Sequence, residues 1–322
     1  AAYSTLAERK IAGYLQDRVG PNRAGWGGMF QPLADGLKMF MKEEIIPTDS
    51  NRFLFIAGPS LALLTALLGS AVIPWAPDII FGDHTFQVQV ADINVGVLYI
   101  FGIVSLGVYG LMIGGWASNN KFSLMGAVRA ASQSISYEIP MGLSLIALLL
   151  VTNTLSLREI VGQQHGGNWN ILYQPLGFIL FLVCSFAETN RTPFDLPECE
   201  TELVGGYHTE YSGFKMGAFM FAEYLNMFVA SAVMSTLYFG GYNYPGMDWV
   251  AGLVGPVIAP LIAMAVLLAK VFAFIFFFMW VRWTVPRFRY DQLMNLGWKI
   301  LIPLAIANIV ITGIVITIYD KL

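Results

Sequence analysis

Seven apolar runs, each close to or above the roughly 20 residues that span a bilayer, constrain this chain more than any other feature. They lie at about 53–76, 94–116, 134–152, 171–187, 214–239, 253–281 and 300–318. Hydrocarbon offers a peptide group no partner, so such a run must be a helix or part of a closed barrel. No strand alternation of the barrel kind is visible. The chain is therefore expected to be an all-α, polytopic transmembrane helix bundle, a single integral membrane domain over 1–322. The first residues, AAYSTLA, read as the inner end of one further helix whose start is missing, and no signal sequence or initiator methionine precedes them. The expectation is seven full spans plus that truncated one, eight in the complete protein.

Between the runs, Lys and Arg are unevenly shared. Fourteen of the eighteen lie in 8–52, 117–133, 188–213 and 282–299, and Lys215 directly follows the third of these; the alternate connections and the tail hold only Arg158 and Lys321, and Lys270 lies inside a run. The positive-inside rule then puts those four segments on the cytoplasmic side, with both termini outside. The longer polar connections share that side, as expected of a protein that docks something on one face.

The segment 188–213 begins ETNRTPFDLPECETELVGGYHTE and gathers six carboxylates: Glu188, Asp195, Glu198, Glu200, Glu202 and Glu210. Like charges in a poorly solvated place push one another toward protonation, and groups near their titration point can pass protons on. Pro193 and Pro197 forbid one continuous helix here, so the segment is read as a kinked, re-entrant stretch around a polar cavity. Glu138, placed at the opening of a helix beside a kink at Pro140, and Glu223 and Lys270 lie within apolar runs, where charges face a bundle interior and mark ion or proton routes. The plainer reading is a structural ion pair locking two helices.

The first inner segment contains QPLADGLKMFM. Phe30, Leu33, Leu37, Phe40 and Met41 share one helical face, Asp35, Lys38 and Lys42 lie away from it, and Pro32 suits a first turn. This predicts an amphipathic interfacial helix, either a packing element or the wall of a lateral opening for a lipid-soluble molecule. In the last inner segment, WVRWTVPRFRYDQLMNLGWK, Arg282, Arg287 and Arg289 alternate with Trp280, Trp283, Phe288 and Tyr290. Interfacial anchoring accounts for part of this; a pocket that stacks a flat, carbonyl-bearing ligand is the functional alternative. A juxtamembrane position argues against nucleic acid as a partner.

Several classes find no support. There is no GxGxxG, no GxxxxGK[ST] and no Cx2C; Cys184 and Cys199 do not make an iron–sulfur ligand set, and His84, His165 and His208 are scattered. No metal site and no catalysis by this chain in isolation is expected. No internal repeat points to a duplicated transporter.

ERKIAGYLQDRVGPNRAGWGG…QPLADGLK, GWASNNKFSLMGAVRAASQSISYE, AETNRTPFDLPECETELVGGYHTEYSG, AEY and WVRWTVPRFRYDQLM together resemble the H-subunit (subunit 1) family of proton-pumping NADH:quinone oxidoreductase, respiratory complex I. The resemblance covers essentially the whole chain, and VGVLYIF and MFMKEEIIP are closer to bacterial than mitochondrial members. Cys199 stands where many relatives carry a small residue. The resemblance implies a bacterial inner-membrane subunit joining the membrane arm to a peripheral arm that carries flavin and iron–sulfur clusters. Its partners would be that arm, the small and antiporter-like membrane subunits, and lipid. Its substrate would be ubiquinone or menaquinone, with no flavin, cluster or metal of its own. It further implies that Arg9, Arg18, Arg23, Phe40, Arg282, Arg287 and Phe288 serve the quinone chamber or docking. Glu138, Glu188, Asp195, Glu198, Glu200, Glu202, Glu210 and Glu223 would form a proton path in a translocase. Two alternatives stay open: the equivalent subunit of a ferredoxin-, F420H2- or hydrogenase-linked complex, and an independent proton or cation carrier.

Overall fold

A computed structural model describes residues 2–81, 84–198 and 200–319; Cys199 and Lys321 lie outside the described residues, as does the side chain of Glu200. Its elements are α1 (Ala2–Leu15), α2 (Gln31–Met41), α3 (Arg52–Leu68), an antiparallel hairpin of β1 (Ile79–Phe81) and β2 (His84–Phe86), α4 (Gly96–Ala117) and α5 (Lys121–Thr152). There follow α6 (Leu157–Gln163), α7 (Asn170–Tyr173), α8 (Pro175–Glu188), α9 (Glu200–Leu203), α10 (Gly213–Tyr238), α11 (Met247–Val254) and α12 (Ile258–Thr284). The chain closes with α13 (Tyr290–Asn295), a π-helical turn (Leu296–Leu301) and α14 (Ile302–Tyr319).

Every apolar run carries a helix, and among the described residues five are long and apolar enough to cross a membrane: α4, α5, α10, α12 and the continuous 290–318 segment. Asn51 and Asn120 start α3 and α5 by accepting hydrogen bonds from first-turn amides. The remaining two runs are shorter than expected. α3 ends at Leu68 after 17 residues, because Gly69, turns over 70–72 and Pro74 lead into the hairpin. The run at 171–187 breaks at Gln174, whose φ of −131° is what a following proline imposes, and the two halves meet at 76°.

Two inner connections differ from their expected limits. α5 begins at Lys121, so most of 117–133 is helix and Glu138 sits in mid-helix rather than at its opening; α5 continues through Pro140. The buried positions of that added length are small or amide-bearing: Ser123, Gly126, Ala127, Ala130, Ala131 and Gln133. Polarity hid the helix from hydropathy. Likewise α12 runs on to Thr284 and α13 starts at Tyr290, leaving only 285–289 between them.

The main core packs α5, α8, α10, α12 and α14 around Tyr137, Leu148, Leu180, Met234, Leu267 and Ala305. α3 and α4 approach backbone to backbone. A Cβ on Gly58 would lie 2.7 Å from Gly114 Cα, and one on Gly110 would lie 2.8 Å from Ala62 N. Residues four apart on each helix are thus small, the pattern that lets membrane helices cross closely. Contacts also gather the inner segments at one end of the bundle: Phe288 N–H donates to Pro193 O, Lys215 pairs with Glu44 and Asn120 with Glu210. At the other end Lys270 Nζ donates to the carbonyls of Phe239, Gly241 and Asn243 at 2.7–2.8 Å.

Replacing Gly110 by Val should overpack the α3–α4 crossing, costing about 1–3 kcal/mol, whereas Gly102→Ala, with open space around it, should be neutral. Thermal unfolding of the detergent-solubilised variants distinguishes the two.

Candidate functional site

The inner end is organised by one buried arginine. Arg191 follows α8, is 3% exposed, and places Nη1 3.2 Å from both carboxylate oxygens of Glu8 on α1. Its Nε lies 2.8 Å from Glu223 on α10, and its guanidinium sits 4.4 Å from the centre of the Tyr224 ring. Tyr224 Oη donates to Glu8 at 2.6 Å, and Arg282 at the end of α12 donates to the other Glu8 oxygen. Two carboxylates and two guanidiniums therefore tie α1, α10, α12 and the loop after α8 into a neutral quartet. Planar, multidentate pairing is what a guanidinium provides and an ammonium does not.

On one side of this quartet lies a partly open cavity of about 90 Å³ bounded by α3, α4, α5, α8 and α10. Glu188 and Glu223 both line it, together with Ser134, Ser185, Asn226 and Tyr207. Oε2 of Glu188 is buried without a hydrogen-bond partner in the protein. The lining is mostly apolar, with the polar groups at Ser134, Ser185, Glu188, Glu223 and Asn226 among it; a space of this size has room for several waters, and buried carboxylate oxygens need such partners. On the other side, α1, α2 and α10 enclose a groove of about 400 Å³, lined by Arg9, Asp35, Gly36, Phe40, Phe214 and Tyr224 among others. Tyr224 lines the groove and donates to Glu8 of the quartet, and Glu223 is common to the quartet and the cavity.

The loop between Glu188 and α9 carries the next two carboxylates. Asp195 is 5% exposed and accepts from Arg287 at 3.0 Å. Burial pushes its carboxyl up to about 6, and Arg287 opposes that shift. Glu198 is likewise raised, first by burial and then by Asp195, and accepts a 2.8 Å hydrogen bond from Tyr207.

The remaining expected residues are spread around this centre. Glu138 is hydrogen-bonded with Ser105 on the α4–α5 seam. Glu202 points outward to Arg129 at 2.5 Å, and Glu210 accepts from Asn120 at 2.6 Å. Arg9 pairs with Asp35 at 2.7 Å, Phe40 stacks on Phe214 at 4.7 Å, and Phe288 packs against Phe194 at 5.4 Å. Arg18 and Arg23 are exposed in the first inner segment, with Arg18 donating to Gln16. Lys270 joins none of these carboxylates; it caps the carbonyl end of α10. Glu8, Arg191 and Tyr224 carry the centre, yet none of them stands out in the sequence. The available signal is Glu8 lying in ERK at the inner end of an apolar helix, one acid among bases. Among the described residues no group of three or more His, Cys, Asp or Glu could hold a metal.

Removing Arg191 by substitution with Met should leave two buried carboxylates facing each other and destabilise the protein by about 3–5 kcal/mol, read as a large fall in melting temperature. Asp195 gives a pH-dependent counterpart. Its folded value near 6 exceeds that of an unfolded Asp, so the folded state binds the extra proton between about pH 4 and 6 and this group lowers stability as pH rises through that window. Asp195→Asn should therefore raise the melting temperature at pH 7.5 relative to wild type and lose that advantage at pH 4.

A family model described as NADH dehydrogenase matches residues 1–313. The NADH-quinone oxidoreductase H subunit of Flavobacterium johnsoniae is 66% identical over 320 residues, covering 99% of this chain and 91% of that protein. Its counterpart in Flavobacterium psychrophilum is 64% identical over 319 residues, covering 99% and 93%. An H subunit of the same oxidoreductase from Geobacter metallireducens is 48% identical over 331 residues, covering 98% and 91%. Matched along nearly its whole length, this multi-pass membrane chain belongs to the NADH dehydrogenase family, within its group of NADH-quinone oxidoreductase H subunits.

Proposed function

We propose that this chain forms the membrane side of a quinone chamber and transmits quinone reduction to proton translocation. The observation that carries the reading is the unbroken line of contacts from groove to cavity: Tyr224, Glu8, Arg191, Glu223. A quinone of the ubiquinone or menaquinone class slides its apolar tail between α2 and α10, where Phe40 and Phe214 supply flat contact surface. Its head lies toward the inner end, where Arg9, Arg282, Arg287 and Phe288 offer donors and an aromatic face. Arg18 and Arg23 sit outside the groove and serve docking of the neighbouring subunits.

Reduction of quinone to quinol takes up two electrons and two protons. The electrons arrive from a peripheral arm bearing flavin and iron–sulfur clusters; this chain supplies no redox centre. Negative charge gathering near the quartet competes for Arg191 and Arg282. As Arg191 is drawn from Glu223, the carboxylate loses its counter-charge and takes up a proton through the cavity. Glu188 shares that cavity, and Glu138 on the seam leads out of the bundle toward antiporter-like subunits. Asp195 and Glu198 feed the same cluster from the loop, while Glu202 and Glu210 lie along its outer margin. The charge asymmetry of the connections supports a quartet on the cytoplasmic side of a bacterial inner membrane.

Glu188→Gln and Glu223→Gln, made in the assembled complex, should each lower quinone reduction and the linked proton movement by about tenfold or more, while NADH oxidation by an artificial acceptor stays unchanged. Normal quinone turnover and proton movement in both would overturn the reading. Gly36 lines the groove and has open space around it, so Gly36→Leu should narrow the groove without disturbing the fold. It is expected to raise KM for a long-tailed quinone several-fold and leave that for a short-tailed one nearly unchanged.

A further inference from the structure

Two pairs of the carboxylates described above do not share a cavity. Glu188 and Glu223 line the cavity between the helices, whereas Asp195 and Glu198 belong to the irregular loop beside it. One side chain belongs to both settings. Tyr207 is 3% exposed, forms part of the cavity wall, and donates from Oη to Glu198 at 2.8 Å.

Its placement is closely determined. The 3-10 turn Gly206–His208 seats directly on α5 because residue 126 is glycine: a Cβ there would lie 2.6 Å from Tyr207 N. Gly206 itself has φ of +63°, and a Cβ on it would strike Pro197 O, so the turn is also pressed against the loop that carries Glu198. The ring is held edge-on by Phe219 and His208, each at 5.2 Å between ring centres. A hydrophobic residue of similar shape would satisfy all of these contacts. The hydroxyl adds only the link to Glu198.

We propose that Tyr207 is the proton-relaying residue between the internal cavity and the loop carboxylate Glu198. The inference rests on the proposed function and extends it by one named step. Glu188 or Glu223, as the neutral acid, gives a proton through a cavity water to Oη as the phenol passes its own proton to Glu198. One O–H bond forms on Oη and one breaks, Glu198 becomes the neutral acid, and the cavity group is left as the carboxylate. Reversal returns the proton by the same atoms. Burial, followed by the nearby Glu198 and Glu223 carboxylates, holds the Tyr207 phenol well above its ordinary range. The group therefore works by exchange and is never left as phenolate. His208 Nε2, 3.7 Å from the same Glu198 oxygen, helps to keep that carboxylate in place.

Tyr207→Phe in the assembled complex tests this, with Glu198→Gln and the double variant alongside and artificial-acceptor activity used to count correctly assembled enzyme. The expected result is a fall in NADH-driven quinone reduction of roughly tenfold and a larger solvent deuterium isotope effect. The double variant should be no slower than Glu198→Gln alone, because both changes interrupt one step. Wild-type turnover and isotope effect in Tyr207→Phe, beside an impaired Glu198→Gln, would overturn the relay while leaving the proposed function standing. Normal turnover in Glu198→Gln and Glu223→Gln alike would overturn the proposed function and the relay with it.

Discussion

The inner half of this bundle depends on the contact between Arg191 and two carboxylates that come from distant parts of the chain, Glu8 and Glu223. A guanidinium that is 3% exposed is tolerable only when its charge is matched. Matching it fixes the position of α1 relative to α10 and, through Arg282, of α12 as well. The same contact creates the two spaces on which the functional reading rests. It closes the inner end of the cavity at Glu223 and forms a wall of the groove at Tyr224.

Buried quartets of this kind are poor devices for stability alone, since well-packed apolar residues serve as well or better. Their particular property is that removing or adding one charge upsets all the partners at once. In the proposed coupling, negative charge gained by a substrate beside the quartet alters the field that keeps Glu223 ionised. The apolar core of Tyr137, Leu148, Met234 and Leu267 and the tight α3–α4 crossing form the rigid frame against which such a change is felt. At the opposite end, three backbone carbonyls hold Lys270 and fix the outer end of α10.

Much of this is legible in the sequence, and what is not has physical reasons. The helical bundle, the amphipathic α2 and the acids within apolar runs all follow from the cost of polar groups in hydrocarbon. Glu223 stands out that way and Glu188 as the first acid of the 188–213 segment, and the two share a cavity. Hydropathy marks α5 about thirteen residues too short. Its inner length buries small and amide-bearing side chains, such as Ala127 and Gln133, that depress hydropathy without interrupting the helix. Lys270 invites grouping with the carboxylates, but a lysine in a span finds backbone carbonyls at a helix end as readily as an acid. Glu8 and Arg191 look like ordinary members of polar segments. Their importance arises only when α1 is laid against α10 and α12, a tertiary fact with no local signature.

The most direct test of the coupling account is redox-triggered infrared difference spectroscopy of the intact complex, with carboxyl bands assigned by substitution. Quinone reduction should produce a protonated-carboxyl signal that vanishes in Glu223→Gln and is lost or displaced in Glu8→Gln, while quinone still binds in both. A Glu223 signal that is absent in wild type, or that appears unchanged when Glu8 is replaced, would contradict the claim that the quartet carries charge information from groove to cavity.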